Sequence, residues 1–491
     1  MISIPHHRPE HFHSVLTLAF NSKRHCKSKS FKHTIMNKLK IYLSAFAVAL
    51  VLFQGCDNML DVDPYQSIDS EEALTNADNV KSVLVGAYDA MGNGNLYGGW
   101  YMMTADFLAA SNEFEFTGTF FGPREIWAKN QLYDNGQLTS TWINSYNTIN
   151  ILNNVTSSLD LLEDADRARV EGEARVIRGM IYFELVRLFA APYEAGQNND
   201  QPGVPLILTP TTDIDEDANV SRASVEAVYD QIIEDLTLGR DLLPDINPER
   251  SYYVNSMVAS AVLSRVHLQR EEYEEARDEA HRVIESGNYS LRATFADVFN
   301  QPENTTEDIF AMQNSAQDGV NSLFTFYSAS SRGDIDVSQS HLDEYEPNDD
   351  RLNLFYEDPA DGAMRSGKWN RSTDDQVNLI RLAEMYLTRA EGNFRLDEEV
   401  GDTPEGDMNT IRDRVNLDPY ADGELTLDDI LLERKLELMF EGNLLHDIKR
   451  TQRNVGARSY DDPKLVLPIP QREMNSNPNL CQNPTYSGTQ C

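Results

Sequence analysis

The stretch NSMVASAVLSRVHLQREEYEEARDEAHRVIES, residues 255–286, decides the fold. It holds two helical runs, 255–269 and 273–286, separated by charged residues. Together they read as one tetratricopeptide-type helix pair. Ala276 and Ala280 are the small residues that let paired helices approach closely, and Tyr273 fills the groove between them.

The same periodicity continues outward. Toward the N-terminus it predicts helices over Val225–Leu243, Ala165–Phe189, Thr139–Leu162 and Glu71–Met91. In the last of these, Val80, Val83, Leu84, Ala87 and Tyr88 form one stripe, Ser70 or Asp69 caps the start, and Gly92 ends it. Toward the C-terminus it predicts helices over Asp375–Arg395, Asp407–Arg414 and Leu427–Phe440. Only the 255–286 pair is regular, so the expected class is mainly α, with degenerate tetratricopeptide pairs over about 71–92, 137–290 and 375–450. Two segments break the period, about 93–136 and 290–374. Both are rich in aromatic and small polar residues and read as long loops with short elements. A tail, 451–491, contains Pro468 and Pro470, which fix an extended segment.

The chain has 491 residues, 41% apolar and 25% charged, with a net charge of −37. Residues before Cys56 carry about eight Lys/Arg against one Asp/Glu, so the remainder is near −44. So acidic a body repels nucleic acid and anionic headgroups.

Lys38 and Lys40 precede an apolar run, Ile41–Phe53, with the length of a signal-peptide core rather than of a membrane span. It ends in Leu52-Phe53-Gln54-Gly55-Cys56, the pattern of a lipoprotein signal with Cys56 acylated. Met36 then reads as the start, 1–35 as an over-called extension, 36–55 as the signal peptide, 56–70 as an acidic tether and 71–491 as the domain. Cys481 and Cys491 can bridge a short loop in an oxidising compartment.

Catalytic signatures are missing. There is no nucleophile elbow, zinc motif or phosphate loop, and the histidines are scattered. His267, His281 and His446 read as helix-surface or capping residues. Asp213, Asp215 and Asp217 alternate like calcium-loop ligands, but Ala218 and Ser224 stand where Gly and Glu are needed. The expectation is a binding protein, without metal, cofactor or catalysis.

Three strings carry a resemblance: LIRLAEMYLTRAE (379–391), ILLERKLELMFEG (430–442) and LPIPQREMNSNPNLCQNP (467–484). With the helix Glu173–Phe189 and the Cys56 signal they make five ordered matches. They resemble the SusD/RagB family of surface nutrient-binding lipoproteins. One departure is Asn443-Leu444-Leu445-His446, where that family has an aromatic pair. The strings read as scaffold, with Arg381 pairing with Glu384, and Arg434 with Glu437 or Glu441, along helix faces.

The resemblance implies a SusD-like fold whose irregular half holds the ligand. It implies an outward-facing lipoprotein of the outer membrane that captures oligosaccharides or peptides for a SusC-type TonB-dependent transporter. A structural helical-repeat adaptor is the alternative, and a glycoside hydrolase the remotest. Sugars need flat apolar faces rimmed by amide, carboxylate and guanidinium groups. The candidate ligand residues are therefore Trp100, Tyr101, Asp106, Asn112, Arg124 and Trp127 in one irregular segment, and Tyr356, Arg365, Trp369 and Arg371 in the other. Trp142, on a helix stripe, belongs to the core.

Overall fold

Helices of the array pack against their neighbours in chain order, and each pair buries the apolar side that its sequence presents. A computed structural model describes residues 74–211, 219–246, 252–315, 317, 320–373 and 375–491. All of these fall in one compact unit. The lipidation, signal-peptide and tether assignments, and Asp213, Asp215 and Asp217, lie outside the described residues.

The helices are α1 (Ala77–Met91), α2 (Trp100–Ala109), α3 (Phe121–Trp127), α4 (Gly136–Ser157), α5 (Asp164–Phe189), α6 (Val225–Leu242), α7 (Ser256–Gln269) and α8 (Tyr273–Glu285). They continue as α9 (Ser322–Tyr327), α10 (Gln339–Leu342), α11 (Leu382–Leu396), α12 (Pro404–Asp413), α13 (Leu427–Leu438), α14 (Leu444–Arg450) and α15 (Gln471–Ser476). An array runs α1, α4, α5, α6, α7, α8, α11, with α12 and α13 packed on α11. The molecule is mainly α, as expected.

Local chemistry sets the helix ends. The Asn255 side chain accepts the Val258 N–H and starts α7. Thr426 and Asp429 form a reciprocal capping box at α13. Asn76 caps α1 and Gly92 closes it as expected, while the expected caps Asp69 and Ser70 lie outside the described residues. α5 and α6 approach closely through small residues. A Cβ added at Gly172 would meet Leu243 Cγ at 2.7 Å. Arg178 is buried at this seam, its guanidinium on Asp235 at 2.7 Å and on Asn153 at 2.8 Å. Ala276 and Ala280 are fully buried, and Trp142 is in the core.

Three antiparallel two-stranded ribbons interrupt the helices: β1 (Phe114–Phe116) with β3 (Ile335–Val337), β2 (Asp308–Asn314) with β6 (Asp375–Arg381), and β4 (Phe355–Glu357) with β5 (Met364–Ser366). The β1–β3 ribbon joins the two irregular segments, which are remote in sequence.

Several expectations are corrected. Asp375–Arg381 is a strand, and the helix begins only at Leu382. Cross-strand pairing with β2 wins there, and Gln376 and Asn378 both donate to buried Asp308. The 93–136 segment holds a ten-residue helix, α2, buried at every position, so no polar face marks its period. Arg381 does not pair with Glu384, which takes Arg265 at 2.6 Å. Arg434 turns to Asp447 at 3.4 Å and to the Thr388 hydroxyl rather than to Glu437 or Glu441. His446 is buried, and burial pushes its pKa well below the usual value, so it is a neutral core residue. His267 meets Glu272 at 2.7 Å, and His281 meets Arg389 at 2.9 Å.

The displaced charges collect in one cluster. Arg381 donates to Glu307 at 2.7 Å, Glu437 at 3.0 Å and Glu441 at 2.8 Å. Arg414 also reaches Glu307 and Glu437, Arg351 joins Asp349 to Glu433, and Lys368 binds Glu441 at 2.6 Å. Burial alone would raise the Glu437 carboxyl, but Arg414, Arg381 and Arg351 outweigh it and hold the group down to about 2. The cluster fastens β6, α13 and the 349–351 turn together. The family strings contribute Arg381, Glu437 and Glu441, which accounts for their scaffold character.

Candidate binding cleft

The cleft follows from how α1 ends and β2 begins. After Gly92 the chain doubles back through Asn93, Gly94 and Gly98, and the two glycines leave bare backbone in the wall. A Cβ at Gly94 would meet Ser322 Oγ at 3.2 Å. Opposite stand Met312, Gln313 and Asn314 of β2, Val377 of β6, and Val320 and Asn321 before α9. Between them lies a cavity of about 220 Å³, also lined by buried Tyr88 and exposed Asp89. That is below the ~300–1,000 Å³ of drug-sized sites, so it suits about one or two sugar rings.

Amides dominate its polar lining. Asn93 and Asp89 are exposed at the rim, whereas Asn321 is buried. The Asn321 side chain accepts the Phe324 N–H at 2.7 Å, capping α9, and directs its NH2 group toward Asp375 at 3.5 Å. Val377 and Asp375 lie two residues apart on β6 and so share a face. Their partners across the ribbon, Met312 and Asn314, both line the cleft. Asp375 therefore continues the cleft floor inward. It is 2% exposed, and its Oδ1 has no hydrogen-bond partner. Burial pushes its carboxyl up to about 7, against the opposing pull of the Gln376 backbone, Arg371 and Asn321. Among the described residues lining it there is no Lys, Arg or His. The arrangement offers hydrogen bonds to hydroxyls and presents only negative formal charge.

A second, wider cavity of about 350 Å³ lies on the helical array near α4, α5 and α6. Its cations, Arg175 and Arg178, are already spent on Asp235. Among the described residues no group of three His, Cys, Asp or Glu is placed to hold a metal ion.

The residues singled out from sequence fare unevenly. Trp100, Tyr101 and Asp106 lie on buried α2 and present no face to a ligand. Trp100 packs edge-on to Phe326, and the Tyr101 hydroxyl meets Ser145 at 2.5 Å. Asp106 accepts from the Tyr327 hydroxyl and from the Gly442 N–H, both at 3.0 Å, and burial raises its carboxyl to about 7. Asp106 thus ties α2 to the 430–442 string, whose Gly442 adopts φ +77°. Arg365 and Trp369 are buried as well. Arg365 donates to the Ile335 carbonyl at 2.8 Å, and Trp369 to the Phe440 carbonyl at 3.0 Å. These five are framework because they are buried among other elements and present no face to solvent. Asn112 and Arg124 are exposed, while Trp127, Tyr356 and Arg371 are half-buried. Tyr356 donates to Asn370 at 3.0 Å and lies opposite Arg365 in the β4–β5 ribbon, and no member of either group is among the described residues lining the cleft.

Sequence reading missed the cleft residues. Asn93, Asn314 and Asn321 carry no motif, and their convergence depends on the β2–β6 register. Cys481 and Cys491 form the disulfide, with Cα atoms 4.8 Å apart.

The fold is thus a helical array with a small amide-lined cleft beside its irregular segments. Comparison with known proteins gives the family. Residues 58–268 match the SusD-like_3 model, described as "Starch-binding associating with outer membrane", and residues 358–486 match the SusD family model, SusD_RagB. The chain belongs to the SusD/RagB family. It is 25% identical to SusD-like protein P2 of Formosa agariphila, over 91% of this chain and 100% of that one. It is 31% identical to starch-binding protein SusD of Bacteroides thetaiotaomicron over 129 residues, 23% of this chain and 22% of that one. A SusD superfamily protein of Bacteroides thetaiotaomicron superposes with a TM-score of 0.76 at 25% identity, covering 83% of this chain and 100% of that one. A putative sugar binding protein of Bacteroides vulgatus does so at 0.75 and 27%, covering 84% and 99%.

Proposed function

We propose that this protein captures carbohydrate at the outer membrane, holds one end of an oligosaccharide in the amide-lined cleft, and passes it to a SusC-type TonB-dependent transporter. The observation that carries this reading is the cleft itself. Its size fits sugar rings, its amides match hydroxyls, and Tyr88, Met312 and Val377 supply apolar surface. Relatives whose names specify starch or sugar binding support carbohydrate over peptide. Family membership, and a family description naming the outer membrane, support the location. Cys56 is the proposed lipid anchor, and an outward orientation follows from the task of capture.

The test is calorimetric titration of the purified protein with neutral oligosaccharides, with affinity purification of the tagged protein from native membranes. Saturable sugar binding and co-purification of a β-barrel are expected. Failure of both would return the protein to the adaptor class. Metabolic labelling with a fatty-acid analogue checks the anchor, since Cys56→Ser should abolish incorporation.

A further inference from the structure

The sequence holds two Asn-Gly steps, Asn93-Gly94 and Asn135-Gly136. Such a step is chemically labile, because glycine has no side chain to shield its backbone nitrogen from the asparagine before it. The fold treats the two oppositely.

Asn135 is buried and fully engaged. Its Oδ1 caps α4, accepting the Gln137 N–H at 3.0 Å and the Leu138 N–H at 3.4 Å. Its Nδ2 donates to Glu125 at 2.7 Å and to the Gly122 carbonyl at 3.2 Å. Gly136 is the first residue of the helix. Both ends of the amide are fixed, and burial keeps water away.

Asn93 lies in the turn after α1, where it is exposed and lines the cleft. Its Oδ1 accepts from the Asn95 N–H and from Asn95 Nδ2, both at 2.9 Å. Among the described residues, neither its Nδ2 nor the Gly94 N–H makes a hydrogen bond. These are the parts of an acyl-transfer centre. The nucleophile, Gly94 N, belongs to the next peptide unit after the electrophile, Asn93 Cγ, so ring closure needs no encounter. The two Asn95 donors sit on the oxygen that becomes negative when Cγ is attacked. The leaving amide faces water.

We propose that Asn93-Gly94 is a self-modification site, through which the cleft rim ages from amide to carboxylate. Gly94 N loses its proton to solvent base and bonds to Asn93 Cγ. The Cγ–Nδ2 bond breaks, Nδ2 takes a proton from water and leaves as ammonia, and a succinimide remains. Water opens that ring at either carbonyl, giving aspartate or isoaspartate. The consequence for binding rests on the cleft reading. The product loses the free NH2 donor and adds a carboxylate to a lining that already holds Asp89. The isoaspartyl form also lengthens the main chain by one carbon in a turn where the Asn93 carbonyl accepts the Leu96 N–H at 2.8 Å and the Gly98 N–H at 3.1 Å.

The test is peptide mapping by mass spectrometry of the purified protein, aged in mildly alkaline buffer, folded and in urea. In urea the two steps should convert at similar rates. In the folded protein Asn93 should convert at least about tenfold faster than Asn135, to both aspartyl and isoaspartyl products. Fresh and aged protein are then titrated with neutral glucan, mannan, xylan and galactan oligosaccharides. Affinity for the series that the fresh protein binds should fall at least about threefold on ageing. Asn93→Gln, whose side chain must close a larger ring, should hold its fresh affinity. A folded Asn93 that converts no faster than Asn135 overturns the site and leaves the cleft reading standing. Full conversion without loss of affinity overturns the link to the cleft. A fresh protein that binds no sugar overturns the cleft reading, and the mass readout then decides the modification site alone.

Discussion

The Arg381 cluster and the cleft both place polar groups inside the same ribbon, β2–β6, with opposite outcomes. At the Arg381 end, three carboxylates surround one guanidinium and further cations close the circuit. At the Asp375 end, six residues along the strand, a buried carboxyl keeps one oxygen without a partner beside a cavity. The first end joins several elements through charged partners, although Glu437 Oε2 and Arg414 Nε make no hydrogen bond there. At the second, Asp375 Oδ1 makes none, while the neighbouring Asn93, Gln313 and Asn321 bond within the chain. The two ends differ in charge compensation: cations surround the carboxylates at one, and none is among the described residues lining the cavity at the other.

The sharpest way to break this contrast is Arg381→Met. It leaves Glu307, Glu437 and Glu441 buried with fewer cations, and losing one partner of a buried network costs about 3–5 kcal/mol. Urea unfolding followed by circular dichroism should show a loss of that size. A loss under ~1 kcal/mol would mean that the cluster is not the clasp described here.

At the other end the large effect should fall on binding. Asp89 is exposed at the cleft rim, so Asp89→Ala should change stability by no more than about 0.5 kcal/mol. Sugar affinity should fall about tenfold, worth ~1.4 kcal/mol, by titration against the oligosaccharide bound by the wild type. Unchanged affinity would move the site away from the cleft.

Asp375 gives the contrast a pH signature. Its folded-state carboxyl sits at about 7, above its unfolded value, so the folded chain binds the extra proton. Its stabilising contribution is therefore fully present below the unfolded value near pH 4 and is lost as pH rises through about 7. Asp375→Asn mimics the neutral form. It should raise stability by about 1–2 kcal/mol at pH 8 and change it little at pH 4.5, measured as unfolding free energy across that window. Carboxylates such as Glu437, held near 2, have the opposite sign and lose their contribution only in strong acid.

The contrast also explains what was legible in the sequence. The array was, because α8 buries one side around Ala276 and Ala280 and the Asn255 cap marks the start of α7 beside it. α2 was not, because a helix buried all round has no period to read. β6 was mistaken for helix because its seven residues are all buried and run directly into α11. The tryptophans were legible as important but not as core. Trp100 and Trp369 sit inside, whereas the aromatic rings left in water are Phe120 and Phe121, a doublet that sequence cannot tell from a core pair. The cleft depends on register: only the pairing of Asn314 with Asp375 brings those side chains toward Asn321 and the turn after α1.

Asn321 offers the finest test, because it stands in both roles. Its carbonyl oxygen caps α9, and its NH2 group faces Asp375. Asn321→Ala removes both and should cost about 1 kcal/mol, chiefly through the cap. Asn321→Ser restores a capping oxygen but no donor toward Asp375, so stability should return to within about 0.5 kcal/mol of the wild type. The lost donor favoured the ionised carboxylate, so the Asp375 transition should move further upward in both variants. Carboxyl chemical shifts followed by NMR through the titration read this directly. If the serine variant regained stability and also kept the wild-type transition, Asn321 would act on Asp375 only by holding α9 in place, and the polar link from cleft wall to buried carboxyl would not exist.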